Sequence, residues 1–181
     1  MLNDILKSIG KFTIEELELI EKHLTKTSYR KNEILLKEGT TCRKAWYIIS
    51  GSIYQFKYED IEENVFDLHC ENDWLVGHSS FVTQKPSLAI IKAYSDCEVL
   101  EISIDSVHQL ITQSPSFLQL GKILNTAVSR LNYFDNSFTP REKYDSLMKS
   151  RPQLLQKFPL KIIASYLKIT RETLSRVRSL P

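Results

Sequence analysis

The stretch Pro159-Leu160-Lys161-Ile162-Ile163-Ala164-Ser165-Tyr166-Leu167-Lys168-Ile169-Thr170-Arg171-Glu172-Thr173-Leu174-Ser175-Arg176-Val177-Arg178 divides into a helix, a tight turn and a second helix. In the first helix Ile163 and Leu167 sit one turn apart on a single face. Ala164 beside them is small enough for a close helix crossing. Ile169 plugs the turn. Thr170 is an N-cap for the second helix, because its hydroxyl can accept an orphan backbone N–H. At about 100° per residue, Leu174 and Val177 make the buried side, and Arg171, Glu172, Ser175 and Arg176 project away from it. Arg pairs bidentately with guanine and Glu accepts from cytosine N4, so such a face suits base edges. An ordinary solvated helix accounts for the charges, but not for the small-residue crossing and capped turn that precede them.

Arg171, Glu172, Thr173 and Arg176 form an Arg-Glu-Thr-x-x-Arg string. With it, the run from Ile163 to Arg176 resembles the DNA-binding helix-turn-helix of the cyclic AMP receptor protein/fumarate-nitrate regulator (Crp/Fnr) family. The resemblance implies Thr170, Arg171, Glu172, Thr173, Ser175 and Arg176 as the DNA-binding set. It departs at the turn, where the family's usual glycine is Lys168. A lysine enters the left-handed conformation at modest cost.

Charge isolates this end of the chain. Residues 140–181 hold ten basic residues against three acids, a net +7, and the first 139 residues carry −5. A basic tail on an acidic body is the electrostatic footprint of a nucleic-acid binder.

Upstream, the pattern changes. From about Tyr29 to Ile104 come Ile34-Leu35-Leu36, Trp46-Tyr47-Ile48-Ile49, the run Ser52 to Tyr58, Val65-Phe66-Asp67-Leu68, the run Leu88 to Ala93 and the run Cys97 to Ile102. These β-branched and aromatic runs are separated by turn formers such as Glu38-Gly39-Thr40 and Ser50-Gly51. Short strands at near-regular spacing predict a small barrel or sandwich. Gly39, Tyr47-Ile48-Ile49-Ser50-Gly51 and Glu98-Val99-Leu100-Glu101-Ile102 are similar to the β-roll of cyclic-nucleotide-binding domains. With the C-terminal motif, the resemblance covers nearly the whole chain.

In that family a Gly-Glu pair opens a short helix and holds the ribose, and an Arg-Ser/Thr-Ala run holds the phosphate. Here the stretch Val76 to Ala89 keeps Gly77 and Ala89, but His78 replaces the Glu and Ser87 replaces the phosphate Arg. Losing an Arg–phosphate pair removes charge neutralisation and a bidentate bond. Cyclic AMP is therefore not an expected ligand. Gly77, His78, Ser79, Ser87 and Leu88 are the candidate effector pocket. Two readings stay open: the pocket takes another small-molecule effector, or its own side chains fill it.

Thr13 and Glu16 make a capping box for a helix from about Thr13 to Leu24, with Ile14, Leu17, Ile20 and Leu24 on one stripe and Phe12 placed to staple onto Leu17. After Asp105 a short helix is expected over Ser106 to Gln113, then a longer one to about Phe134. Phe117, Leu120, Leu124, Ala127, Leu131 and Phe134 step by 3, 4, 3, 4 and 3 along it. That heptad seam predicts a parallel homodimer, with these six residues as its interface. The family's dimer helix occupies the same place. Asn136-Ser137-Phe138 reads as a hinge, and Thr139-Pro140-Arg141-Glu142 as the cap of the next helix.

Hydrophobic content of 42% and charged content of 25% fit a globular protein, and no apolar run approaches the ~20 residues of a membrane span. Cys42, Cys70 and Cys97 are few, far apart and without a C-x-x-C pair, which points to reduced thiols in a cytoplasm. They cannot supply the four ligands of an iron–sulfur sensor. His23, His69, His78 and His108 show no metal-binding spacing.

The expected protein is α+β. It has an antiparallel β-roll (a double-stranded β-helix) with flanking helices over 1–113, a long dimerisation helix and hinge over 114–136, and a helical winged-helix/helix-turn-helix domain over 137–181. Its expected work is dimeric, sequence-specific binding of double-stranded DNA at an inverted repeat. No catalytic residue, metal or cofactor is expected, nor a membrane. The alternatives are a ligand-sensing module that acts through protein contacts and, behind it, a cupin-like barrel enzyme, which would need clustered metal ligands.

Overall fold

The β-rich runs build eight strands among the described residues: β1 (Thr25–Tyr29), β2 (Ile34–Leu36), β3 (Lys44–Ser50), β4 (Ser52–Glu59), β5 (Glu62–Cys70), β6 (Trp74–Val76), β7 (Ile90–Ala93) and β8 (Cys97–Ser103). The structure is a computed structural model that describes residues 2–124 and 138–179. The strands form two antiparallel four-stranded sheets, ordered β1-β8-β3-β6 and β2-β7-β4-β5. The main core holds Ile48, Ile53, Ile91, Val99 and Ile102, all essentially without solvent exposure. Gly51 makes the turn from β3 to β4 at φ 93°, where a Cβ would stand 2.3 Å from the Asp96 carbonyl oxygen. That close approach requires glycine.

Sequence reasoning starts the β region at Tyr29, but β1 begins at Thr25. Its Thr-Lys-Thr-Ser-Tyr sequence is too polar to read as a strand, and it is held as an edge by pairing with β8. Trp74-Leu75-Val76 is also a strand, fully buried but only three residues long. Across the β1-β8-β3 ladder, Glu101 accepts hydrogen bonds from Tyr29 (2.6 Å), Lys44 (2.6 Å) and Trp46 (3.1 Å).

Helix α1 (Leu2–Leu6) and helix α2 (Ile14–Lys22) cover one end of the roll. The Thr13–Glu16 capping box is present. Ile14, expected on the buried stripe, is 72% exposed, whereas Ile20 is buried. Helix α3 (His78–Thr83) follows β6, and α4 (Ile104–Gln113) follows β8, capped by Ser103.

The seam after α4 needs correction. Pro115–Gly121 is a 3₁₀ turn capped by Ser114, not the start of a long α-helix. Phe117 and Leu120 are buried in the core of their own roll, with the Phe117 ring stacked on Phe12 at 6.2 Å. Gln119 fixes this turn by accepting from Lys11 N and donating to Lys11 O, each at 3.1 Å. Two of the six expected interface residues thus face inward, because an apolar partner within the chain is already in reach. Leu124 is half-buried against the core, and Ala127, Leu131 and Phe134 lie outside the described residues.

The C-terminal part comprises α5 (Pro140–Ser150), α6 (Pro152–Lys157), α7 (Leu160–Leu167) and α8 (Arg171–Ser179). Thr139 and Glu142 form the expected capping box, with Pro140 at the first helical position. Residues 138–179 are helical without a strand, so the wing of a winged helix is not among the described residues. This part packs on the roll. Phe158 meets Tyr94 at 4.9 Å between ring centroids, and Leu147, Leu154 and Ile163 join Tyr54, Phe56, Val65 and Leu68 in a second core.

Candidate functional site

The helix pair at the C-terminus is built as its sequence dictates. Ile163, Leu167 and Leu174 are fully buried, Ala164 is 2% exposed and Val177 is 7% exposed. Lys168 adopts φ 56° and ψ 47°, the left-handed turn conformation. Its N–H donates to Ser165 O (3.1 Å) and the N–H of Ile169 donates to Ala164 O (3.0 Å). These are the two bonds of a Schellman motif, and they satisfy the last carbonyls of α7. The Thr170 hydroxyl then accepts from Thr173 N at 3.2 Å and caps α8. With Leu174 and Val177 anchored, Arg171, Glu172, Ser175 and Arg176 are exposed on one face, and Thr173 is half-buried beside Arg176.

The opposite side of the helix pair finishes the roll. β5 is an edge strand, and its unpaired backbone groups meet side chains from α7 and the turn. Val65 N donates to Ser165 Oγ (2.9 Å), which donates in turn to Glu63 O (3.2 Å). Lys168 Nζ donates to Val65 O (3.1 Å) and to the Asn64 side chain. Arg151 Nη1 reaches Leu68 O at 2.9 Å while Nη2 pairs with Asp73, and Lys157 pairs with Glu71 at 2.7 Å. Burial opposes the charge on Arg151, but Asp73 outweighs it and holds the guanidinium above its ordinary value. No local motif signals Arg151 or Asp73, because their pairing depends on how the two parts dock.

Inside the roll, a cavity of about 670 Å³ opens between the inner faces of β4 and β5 and the loop that carries α3. Gly77, His78, Ser79, Ser87 and Leu88 all line it. A Cβ on Gly77 would stand 2.7 Å from Leu36 Cδ2 and 3.2 Å from Cys42 Sγ, so the loop packs closely on β2 and Cys42 here. Ser80 is buried, and its hydroxyl accepts from Cys42 N at 2.9 Å and donates to Lys85 O. Ser87 is buried too, but its hydroxyl is spent within its own loop, donating to Ala89 O (2.9 Å) and accepting from Ala89 N (3.1 Å). His78 is half-exposed and Leu88 is 70% exposed.

Sequence reasoning missed the polar floor. Gln55 and Asp67 line the cavity, and His69 lies behind them without solvent exposure. Gln55 Nε2 lies 3.0 Å from His69 Nε2, and Asp67 Oδ2 lies 3.2 Å from the same nitrogen. An imidazole nitrogen either accepts from the amide or donates to the carboxylate, so the ring's tautomer selects the bond. Alternation alone could have placed Gln55 and Asp67 inward only once the register of the β4–β5 hairpin was known. Lys57, Lys85 and, from the helix-turn-helix, Lys168 complete the rim. Among the described residues no cluster of three or more metal-ligating side chains occurs, and no helix is long and apolar enough to cross a membrane.

A family model, the cyclic nucleotide-binding domain, matches residues 26–114. The cAMP-activated global transcriptional regulator CRP of Pasteurella multocida (strain Pm70) is 31% identical over 128 residues, 66% of this chain and 61% of that protein. The chain thus carries a cyclic nucleotide-binding domain and is similar to regulators of the Crp/Fnr family. The match thus spans about three-fifths of the length of this curated Crp/Fnr relative. Among solved structures, FixK2 from Bradyrhizobium japonicum is similar at a TM-score of 0.74 and 18% identity, covering 86% of this chain and 83% of that one. Catabolite Activator Protein of Thermus thermophilus gives 0.57 and 18% over 92% and 82%. These structural likenesses establish a common α+β fold with the helix-turn-helix at its C-terminal end.

Proposed function

We propose that this chain is a dimeric, sequence-specific DNA-binding transcription regulator of the Crp/Fnr type, in the cytoplasm, that works by binding, not catalysis. The observation that carries the reading is the exposed face of α8. Arg171, Glu172, Ser175 and Arg176 are held outward there by the buried Leu174 and Val177, on a C-terminal part that carries a net +7. Arg171, Glu172 and Arg176 read base edges, Thr170, Thr173 and Ser175 support them, and the surrounding Lys and Arg hold phosphates. A two-fold dimer reads an inverted repeat with half-sites about one turn, ~34 Å, apart. With Phe117 and Leu120 committed to the roll, its seam is assigned to Leu124, Ala127, Leu131 and Phe134.

The effector is something other than cyclic AMP, or is absent. Ser87 stands where a phosphate-binding Arg is needed, its hydroxyl is already used, and His78 stands in place of the ribose-binding Glu. Calorimetry showing micromolar cyclic AMP binding would refute that part.

The DNA reading is tested by selecting a site from random duplexes and footprinting it. Arg176→Ala should cost ~1–3 kcal/mol and relax selectivity at one base pair. Wild-type discrimination by that variant would remove the recognition assignment, and no footprint on any duplex would favour a module acting through protein contacts.

A further inference from the structure

Both ends of α8 need hydrogen-bond partners from outside the helix. The first turn has one in Thr170, whose hydroxyl accepts from Thr173 N. The last turn has no such help from its own sequence. In a continuing helix the carbonyl of Val177 would accept from the N–H of residue 181, and that residue is Pro181, which has no N–H to give. A different helix supplies the donor. Arg141 of α5 donates from Nη1 to Val177 O at 3.4 Å, across 36 positions of sequence. Nε of the same guanidinium donates to Asp145 Oδ2 at 2.8 Å, one turn further along α5. The Thr139–Glu142 capping box fixes the backbone that carries Arg141, and Leu147 of α5 shares an apolar core with Leu174 of α8. A cation at this place also suits the negative end of the α8 dipole.

Resting on the regulator reading above, we propose that Arg141 is a positioning residue for base readout: oriented by Asp145, it holds the C-terminal turn of α8 through Val177 O and thereby fixes where Arg176 points. Arg176 precedes Val177 in the chain and sits in the turn that this contact closes. Arg171 and Glu172 lie in the opposite turn, next to the Thr170 cap, and do not depend on it. Without Arg141 the Val177 carbonyl turns to water and the last turn frays. A frayed turn spreads the Arg176 guanidinium over several directions, whereas a bidentate match to a base needs one. The Arg141 and Asp145 side chains keep 42% and 52% exposure, so the contact sets one helix end without carrying the fold.

Two measurements test this. The first is amide hydrogen exchange on the full chain without DNA. Arg141→Met keeps the alkyl stem and removes the guanidinium, so the amides of Arg176, Val177 and Arg178 should exchange about three- to tenfold faster while those of α7 stay as in wild type. The second is binding to the selected duplex and to duplexes changed at single base pairs. Arg141→Met should lower discrimination by about three- to tenfold at the base pair assigned through Arg176→Ala, and leave the pairs read by Arg171 and Glu172 unchanged. Asp145→Asn separates positioning from charge. Loss of an acid from a basic surface raises affinity for every duplex, whereas loss of the guanidinium's orientation lowers discrimination at the Arg176 pair, and both are expected. Uniform weakening on all duplexes with a salt slope shallower by about one would make Arg141 a phosphate contact and overturn the proposal. So would unchanged exchange in the last turn, faster exchange throughout α7, or wild-type discrimination in Asp145→Asn. A wild type that footprints no duplex removes the regulator reading and the readout claim with it, while the exchange result judges the anchor on α8 by itself.

Discussion

The contact between Arg151 and Asp73 offers a quantitative test of how the helical part is held on the roll. Arg151 donates to Leu68 O at 2.9 Å and pairs with Asp73, and both side chains retain 17% exposure. Hydrogen bonds to charged groups contribute ~1.5–3 kcal/mol each, and one-sided truncation of a fully buried pair costs ~3–5 kcal/mol. The residual exposure gives water access to whatever is left behind, which places Arg151→Ala near ~2–3 kcal/mol. Asp73→Asn preserves shape and leaves an oxygen for the Cys70 N–H, now 2.9 Å from the carboxylate, so its cost is ~1–2 kcal/mol. In a double-mutant cycle the pair should couple by ~1–2 kcal/mol, since each single change already breaks the shared bond. Urea unfolding followed by tryptophan fluorescence and circular dichroism measures all four proteins. Trp74 reports from the residue next to Asp73. A coupling within ~0.3 kcal/mol of zero would mean that the ion pair does not fasten the two parts, and the docking would then rest on the apolar contacts of Phe158 and Leu154.

Two further outcomes follow from the interior. Burial would raise the Glu101 carboxyl, but hydrogen bonds from Lys44, Tyr29 and Trp46 outweigh it and hold it below its ordinary value. A depressed carboxylate stabilises the fold above its unfolded pKa and loses that contribution as pH falls through the folded one. The unfolding free-energy gap between wild type and Glu101→Gln, followed by urea melts across pH, should therefore be widest near pH 7, at ~1–2 kcal/mol, and close as pH falls below about 4. A gap independent of pH would remove the carboxylate from the explanation. Burial pushes the Cys97 thiol up to about 11, and raises Cys42 and Cys70 as well. Native protein should react with a thiol-specific disulfide reagent orders of magnitude more slowly than urea-unfolded protein, and fast native labelling would contradict this burial.

How much of this could be read from the sequence depends on the reach of each feature. Thr13 with Glu16 and Thr139 with Glu142 are local devices, three residues apart, and both caps form as their spacing predicts. The turn at Lys168 and the buried set Ile163, Ala164, Leu167 and Leu174 are equally local. Phe117 and Leu120 were misread because a heptad step is silent about whether the nearest apolar surface belongs to another chain or to Phe12. The cavity lining was half legible. Gly77, His78, Ser79, Ser87 and Leu88 share one loop and could be named from it. Gln55, Asp67 and His69 depended on hairpin register, and Lys168 on a docking between residues more than one hundred positions apart.

The pairing of β1 with β8 has a consequence for the order in which the protein can be made. Thr25 lies opposite Glu101 and Tyr29 opposite Cys97, so the first strand has no neighbour until the eighth leaves the ribosome. During synthesis, Lys26 to Tyr29 must wait, solvated, for about seventy further residues, and their polar composition keeps that waiting edge from pairing with another nascent chain. Once Ser103 has emerged the roll can close. The backbone groups of β5 that Ser165 and Lys168 later satisfy stay open longer, until the last helices arrive. A chain stopped short of Ser165 therefore presents a finished roll with one bare flank, and that flank is where arrested or truncated copies should stick to each other.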